Sequence, residues 1–172
     1  MPIYALGDQI PDIHPDAYVH PDAVIIGSVT IGANSSVWPT AVLRGDDGEI
    51  IIGARTSVQD GTIIHTTPSH PTTVGDDVTI GHNAHLEGCT IEDTALVGSG
   101  SVVLHQAVVG RGAVVGANAL VPNRKIIPPF AMALGVPVTI REDALTEGVA
   151  ALGVSSYTER SVRYRAELRR ID

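Results

Sequence analysis

From Ile13 to Val121 an aliphatic residue recurs at every sixth position, apart from two longer breaks and one five-residue step, with small or polar residues between. Forward from Val97 the units are VGSGSV, VLHQAV, VGRGAV and VGANAL, followed by Val121. Each opens with an aliphatic residue and carries Ser or Ala at its fifth place, and Gly stands second in three of the four. Backwards, the openers are Ile13, Val19, Ile25, Ile31, Val37 and Leu43, then Ile52, Val58 and Ile64, then Val74, Ile80 and Leu86. A five-residue step to Ile91 restores the phase at Val97. A short period sustained this far does not suit a sandwich. It predicts a solenoid whose units bury their apolar side only by stacking on neighbours. The β-branched opener fits a strand against a narrow interior, and the small fifth residue fits where strands converge. Three units per turn make a triangular coil, and the 18 openers make six coils.

The pattern breaks in two places, Arg44 to Ile51 and His65 to Thr73, which read as polar loops. Loops that interrupt a solenoid tend to line its working face. Pro122 to Thr139 carries four of the 11 prolines and reads as an extended tail. From Arg141 the pattern turns helical, with one helix over Glu142 to Leu152 and a second opened by the capping box Ser156-x-x-Glu159, ending near Arg170. The expected organisation is a β-helix domain over 1–140, including a capping N-terminus, and a helical segment over 141–172 packed on it.

Composition narrows the partners. The 172 residues hold 11 Lys+Arg against 19 Asp+Glu, a net charge of −8. Without a basic stripe, neither nucleic acid nor an anionic membrane is an expected partner. The single cysteine, Cys89, excludes an internal disulfide and suits a reducing compartment. No apolar run approaches a membrane span, and Met1-Pro2-Ile3-Tyr4 does not begin a signal peptide, so a cytoplasmic protein is expected. Aromatics are only 3% of the chain beside 18 glycines, as a core of small and β-branched residues requires.

Register gives the histidines a place. The residues after the third-unit openers, Arg44, His65, Glu87 and Leu104, form one ladder up one corner. Two places after the second-unit openers stand Asp60, His82 and Ser99, at a different corner. His65 and Glu87 are expected about 4.8 Å apart. His82 cannot reach His65 within one chain but can between two, so a site using both is predicted at a subunit interface, most simply in a cyclic homotrimer. His105 falls over Gly88. His14 and His20 sit in repeated His-Pro-Asp-Ala units and read as corner residues.

The strings Arg44-Gly45-Asp46, IGARTSVQDGTIIH (Ile52 to His65) and TIGHNAHLEGCTI (Thr79 to Ile91) resemble the γ-class carbonic anhydrases among the hexapeptide-repeat proteins. The resemblance covers nearly the whole chain and implies a mainly β fold, a left-handed parallel β-helix in a trimer, with divalent metals held between subunits by histidines. It maps the first ligand to His65 and the ligand from the adjacent subunit to His82. Arg44, Asp46, Gln59 and Asp60 match positions that organise the interface and the metal's water ligand. The chain departs at the third ligand. The pattern GH-x-x-x-x-H places Glu87 there, with His85 as the alternative. The founding branch's acidic shuttle loop is absent, and the His65 to Thr73 loop offers His70 instead.

Glu87 with two imidazoles forms a known zinc set and also the iron(II) facial set. Arg44 and Asp46 also read as an ion pair that orients an interface. Asp60 is placed to accept from a ring nitrogen of His82, and Gln59 to bond the metal's water or the corner backbone. The expected function is a metal-dependent hydratase, a lyase converting carbon dioxide to bicarbonate, with Zn2+ first and Fe2+ or Co2+ as alternatives. A Glu87 carboxylate lowers the net charge of the centre and predicts weak activity. The alternatives are a hexapeptide acyltransferase using coenzyme A, supported by Gly135-Val-Pro-Val, and a non-catalytic trimer that binds a metal or metal chelate.

Overall fold

The computed structural model describes residues 2–172, and Met1 lies outside the described residues. The chain winds into a parallel β-solenoid of about seven turns, closed by one C-terminal helix. The first face stacks Tyr18–Val19, Ser36–Val37, Ser57–Val58, Thr79–Ile80, Leu96–Val97, Val114–Val115 and Met132–Leu134 as parallel rungs. On the second face Val24, Val42, Ile63, His85, Val102 and Leu120 lie in register, and on the third Asp12, Thr30, Ile51, Thr73, Thr90, Val108 and Ile126.

The six-residue openers are the core. Ile25, Leu43, Ile64, Leu86 and Val103 are fully buried along the second face, as are Val37, Val58, Ile80 and Val97 along the first. The small fifth residues Ala23, Ala41, Ala95, Ala107 and Ala113 are buried as well. The fifth places hold small side chains, Ala, Ser, Thr or Val, and aromatic residues are absent from this narrow interior. Each buried aliphatic side chain contributes about 1.5–3 kcal/mol relative to exposure.

Several expectations need correction. Pro122 to Thr139 is not an extended tail. Ile126–Ile127 and Met132–Leu134 continue the ladders, with Ile127 and Ala133 fully buried, so the openers run on in phase and add a coil beyond the expected six. Pro122 and Pro128 stand at the place after an opener, where Leu104 and Gly110 one coil earlier donate to the Val121 and Ile127 carbonyls; in the last coil that N–H is not needed for a rung above. Arg44 to Ile51 is not a loop but part of a continuous strand, Val42–Ile52, paired with Val24–Ile31 through a register shift between Gly27 and Val29. Finally, Glu142 to Leu152 is not helical. Thr139–Arg141 turns back antiparallel on Met132–Leu134, covering the last rung's edge, and the chain then passes through turns with Gly148 at φ +85°.

A single helix, α1 (Val154–Glu167), follows. It opens at Gly153 with no side-chain cap, and Ser156 is already in its first turn, donating its hydroxyl to the Gly153 carbonyl at 2.9 Å. The capping box therefore does not form. The helix packs across the first three rungs of the first face. Trp38, the chain's one tryptophan, meets Tyr157 at 5.7 Å and Tyr164 at 5.1 Å between ring centroids, both edge-on. Its indole N–H donates to Ser36 Oγ at 2.9 Å and Ser57 Oγ at 3.0 Å. Edge-on pairs of this kind add about 0.5–1.5 kcal/mol each beyond their buried area. No helix among the described residues is long and apolar enough to cross a membrane.

Candidate functional site

The coils differ chiefly at one corner, where the second face passes into the third. Ile25 to Ile31 there keeps the six-residue spacing, Leu43 to Ile52 and Ile64 to Val74 are longer, and Leu86 to Ile91 is one residue shorter. Gly88 absorbs the short step at φ +59°, and a Cβ there would lie 2.8 Å from both His105 Cδ2 and His70 Cβ. This is the corner that carries Arg44, His65 and Glu87. Arg44 pairs in register with His65, and His65 with Glu87.

The side chains form a continuous polar group. His65 Nδ1 lies 3.0 Å from Glu87 Oε1, and its Nε2 lies 3.2 Å from Asp46 Oδ1. Arg44 donates from its guanidinium to the other oxygen of Asp46. His85 Nε2 is 3.3 Å from Glu87 Oε2, and His105 Nε2 is 3.7 Å from Glu87 Oε1. Burial pulls the Glu87 carboxyl upward, but the bonds to His65 and His85 outweigh it and hold the group below the usual carboxylate range. Asp46 behaves alike: burial raises it most, and the Arg44 hydrogen bond and charge, a backbone hydrogen bond and the His65 contact together more than offset the rise. Asp46, Asp47 and His65 each offer a ligand atom, all within 4.8 Å of one another.

His82 stands apart, at the corner between the first and second faces. Its Nδ1 lies 2.9 Å from Asp60 Oδ2, one coil below. Among the described residues its polar partner is Asp60, not His65. Gln59, beside Asp60, is 4% exposed and donates its backbone N–H to the Ile80 carbonyl at 2.9 Å. One chain thus assembles Arg44, Asp46, His65, Glu87 and His85 in one place, and Gln59, Asp60 and His82 in another. The sequence reading missed His105 and Asp47 as members of the first group. Register already placed His105 over Gly88, next to Glu87, so that signal was present. For Asp47 there was none, because the strand running through Arg44 to Ile51 was taken for a loop.

Cys89 is fully buried, and desolvation pushes its thiol up to about 12, so it is inert filling of the core. His14 and His20 accept the backbone N–H of Asp16 and Asp22 at 3.1 Å, a local turn contact.

Comparison with known proteins agrees with the solenoid. The family described as Bacterial transferase hexapeptide (six repeats) matches residues 11–45, 71–103 and 88–123. Gamma carbonic anhydrase 1, mitochondrial, of Arabidopsis thaliana is 37% identical over 155 residues, 87% of this chain and 56% of that protein. The chain therefore spans little more than half the length of the plant relative. Carnitine operon protein CaiE of Citrobacter koseri is 39% identical over 170 residues, covering 98% of this chain and 86% of that one. A crystal structure from Bacillus cereus, of a protein provisionally named an acetyltransferase, superposes with a TM-score of 0.91 at 38% identity, covering 95% of this chain and 96% of the other.

Proposed function

The chain belongs to the γ-carbonic anhydrase-like family of hexapeptide-repeat proteins, and on that premise we propose that it is a metal-dependent hydratase interconverting carbon dioxide and bicarbonate. The observation that carries this reading is a repeated arrangement. His65 and His82 each present Nδ1 to a carboxylate one coil away, Glu87 at 3.0 Å and Asp60 at 2.9 Å. A carboxylate on one ring nitrogen fixes the tautomer and leaves the other nitrogen's lone pair for a metal. Two such imidazoles suit a divalent ion of borderline softness, Zn2+ first, with Fe2+ or Co2+ as alternatives. Bound there, the ion supplies the acidification of water near neutral pH that hydration requires.

The two imidazoles lie at opposite edges of the second face, so a closed ring of copies brings His82 of one to His65 of the next. A cyclic trimer repeats that junction three times. Arg44 and Asp46, beside His65, fix the orientation of the two copies at the junction. Asp60 holds the His82 ring, and Gln59 lies one residue earlier on the same corner.

The test is metal analysis of protein purified without added metal, together with stopped-flow carbon dioxide hydration. Metal at about one ion per chain, lost in His82→Ala, is expected. A stable metal-free protein that neither takes up Zn2+ nor hydrates carbon dioxide would sink the reading.

One observation favours a second reading: the Bacillus cereus neighbour, at a TM-score of 0.91, carries an acetyltransferase name. In an acyltransferase a single histidine deprotonates the acceptor beside coenzyme A. Saturable heat on titration with coenzyme A would move that reading ahead.

A further inference from the structure

Glu87 stands at the place of the family's third imidazole, and the surrounding contacts give it a different task. We propose that Glu87 is a positioning residue that holds the His65 ring from its Nδ1 side, and is not itself a ligand of the metal. The inference rests on the metal reading above and specifies how that site is built.

Both carboxylate oxygens are already engaged. Oε1 lies 3.0 Å from His65 Nδ1, with His105 Nε2 at 3.7 Å, and Oε2 lies 3.3 Å from His85 Nε2. The opposite side of the His65 ring is acidic: Nε2 faces Asp46 Oδ1 at 3.2 Å, and Asp47 also comes within reach. A divalent cation is drawn to that side. The two ring nitrogens point away from each other. A carboxylate oxygen bonded at Nδ1 is therefore on the wrong side of the ring to come within about 2.0–2.2 Å of an ion at Nε2.

The backbone keeps Glu87 where it is. Glu87 and His65 are directly paired in adjacent rungs, and the next residue, Gly88, turns at φ +59° against His70 and His105. The same device recurs at the other imidazole, where Asp60 backs His82 Nδ1 from one coil below. Each ring thus has a carboxylate behind it, one from above and one from below. A partner of this kind raises the basicity of a metal-bound imidazole, and its loss costs about 10–100-fold in metal affinity.

The experiment compares wild type, Glu87→Gln, Glu87→Ala and His65→Ala as full-length protein, with Zn2+ affinity measured by chelator competition. It adds long-range ring 15N NMR of the metal-free proteins, and thermal melts to show that each variant folds. A glutamine carbonyl still accepts from Nδ1–H but replaces a carboxylate ligand poorly. Positioning predicts that Glu87→Gln, which keeps the hydrogen bond but not the charge, binds more tightly than Glu87→Ala, which loses about 10–100-fold. In the metal-free ring, whose Nε2 also faces Asp46, the spectra should show a proton held on Nδ1 in wild type and Glu87→Gln, and a shift of the proton toward Nε2 in Glu87→Ala. Equal losses in Glu87→Gln and Glu87→Ala, as deep as in His65→Ala, would make Glu87 a ligand and overturn the proposal. Unchanged affinity in both variants would overturn it as well. If wild type takes up no metal, the hydratase reading fails. The metal-free spectra then still decide whether Glu87 sets the His65 tautomer, and a tautomer indifferent to Glu87→Ala would overturn the positioning role separately.

Discussion

His82 and Asp60 occupy the same corner of consecutive coils, with Nδ1 2.9 Å from Oδ2, although both side chains are nearly half exposed. In an isolated chain such a pair adds about 0–1 kcal/mol at most, because water screens it. Its contribution is therefore orientation. Asp60 holds one face of an imidazole steady at the edge of the molecule, where the proposed junction between copies would place it in a shared site.

That arrangement has a direct genetic test. His65→Ala and His82→Ala, each expressed alone, are expected to bind no Zn2+. Co-expressed, they form mixed trimers in which one junction joins an intact His65 to an intact His82, so about one site in three returns. Metal content of mixed trimers separated by differential tags checks this. Recovery of no metal at all would place both ligands on one chain.

Arg44→Ala should weaken assembly more than it weakens the fold. Arg44 contacts Asp46 at the solenoid surface and buries no core area, so the denaturant midpoint of one chain should move little. The trimer should dissociate at least about tenfold more readily, roughly 1.4 kcal/mol. Sedimentation across a concentration series reads both. Unchanged assembly would count against the interface role of the pair.

Trp38→Ala should release the helix. The indole bridges Ser36 and Ser57 and meets Tyr157 and Tyr164, so its removal costs about 3–5 kcal/mol and strips α1 of its seat. Limited proteolysis should then cut within Val154–Glu167 while the solenoid stays protected. Resistance of the helix to protease in this variant would show that other contacts hold it.

Acid should destabilise the His65 corner. Asp46 and Glu87 are both held below the usual carboxylate range. Their contribution is complete above the unfolded values near about 4 and is lost as pH falls through the lower folded values. Urea midpoints for these two groups should therefore stay level from neutrality to about pH 5 and fall below about pH 4. Glu87→Gln should make that fall shallower. A variant profile as steep as wild type would mean that Glu87 does not take part.

Much of this corner was legible beforehand. Once the six-residue openers are counted, the stacking of Arg44 under His65 and of His65 under Glu87 is arithmetic, and so is His82 over Asp60. The misreadings have different causes. The prolines of 122–139 make that segment read as an extended tail, whereas the last coil of a solenoid has no rung above it that needs those N–H groups. Glu142 to Leu152 has a helical spacing of apolar residues, but Gly148 adopts a left-handed turn and the chain before it is tied antiparallel to the last rung. In the proline segment the neighbouring coil, not local preference, decided the conformation, and in Glu142 to Leu152 local turns replaced the helix.

The sequence by itself determined the solenoid, because its period leaves apolar side chains no other way to be buried together. It also determined which residues share a corner, because rung register follows from residue spacing. Only the tertiary structure decided what those side chains do there. It turned Glu87 between His65 and His85, brought His105 across from the next coil, aimed His65 Nε2 at Asp46, and seated Trp38 on two serines beneath α1. Register fixes where each Cα stands. Which way a side chain leaves it depends on packing among residues from several coils and a distant helix, and no local pattern in the chain encodes that.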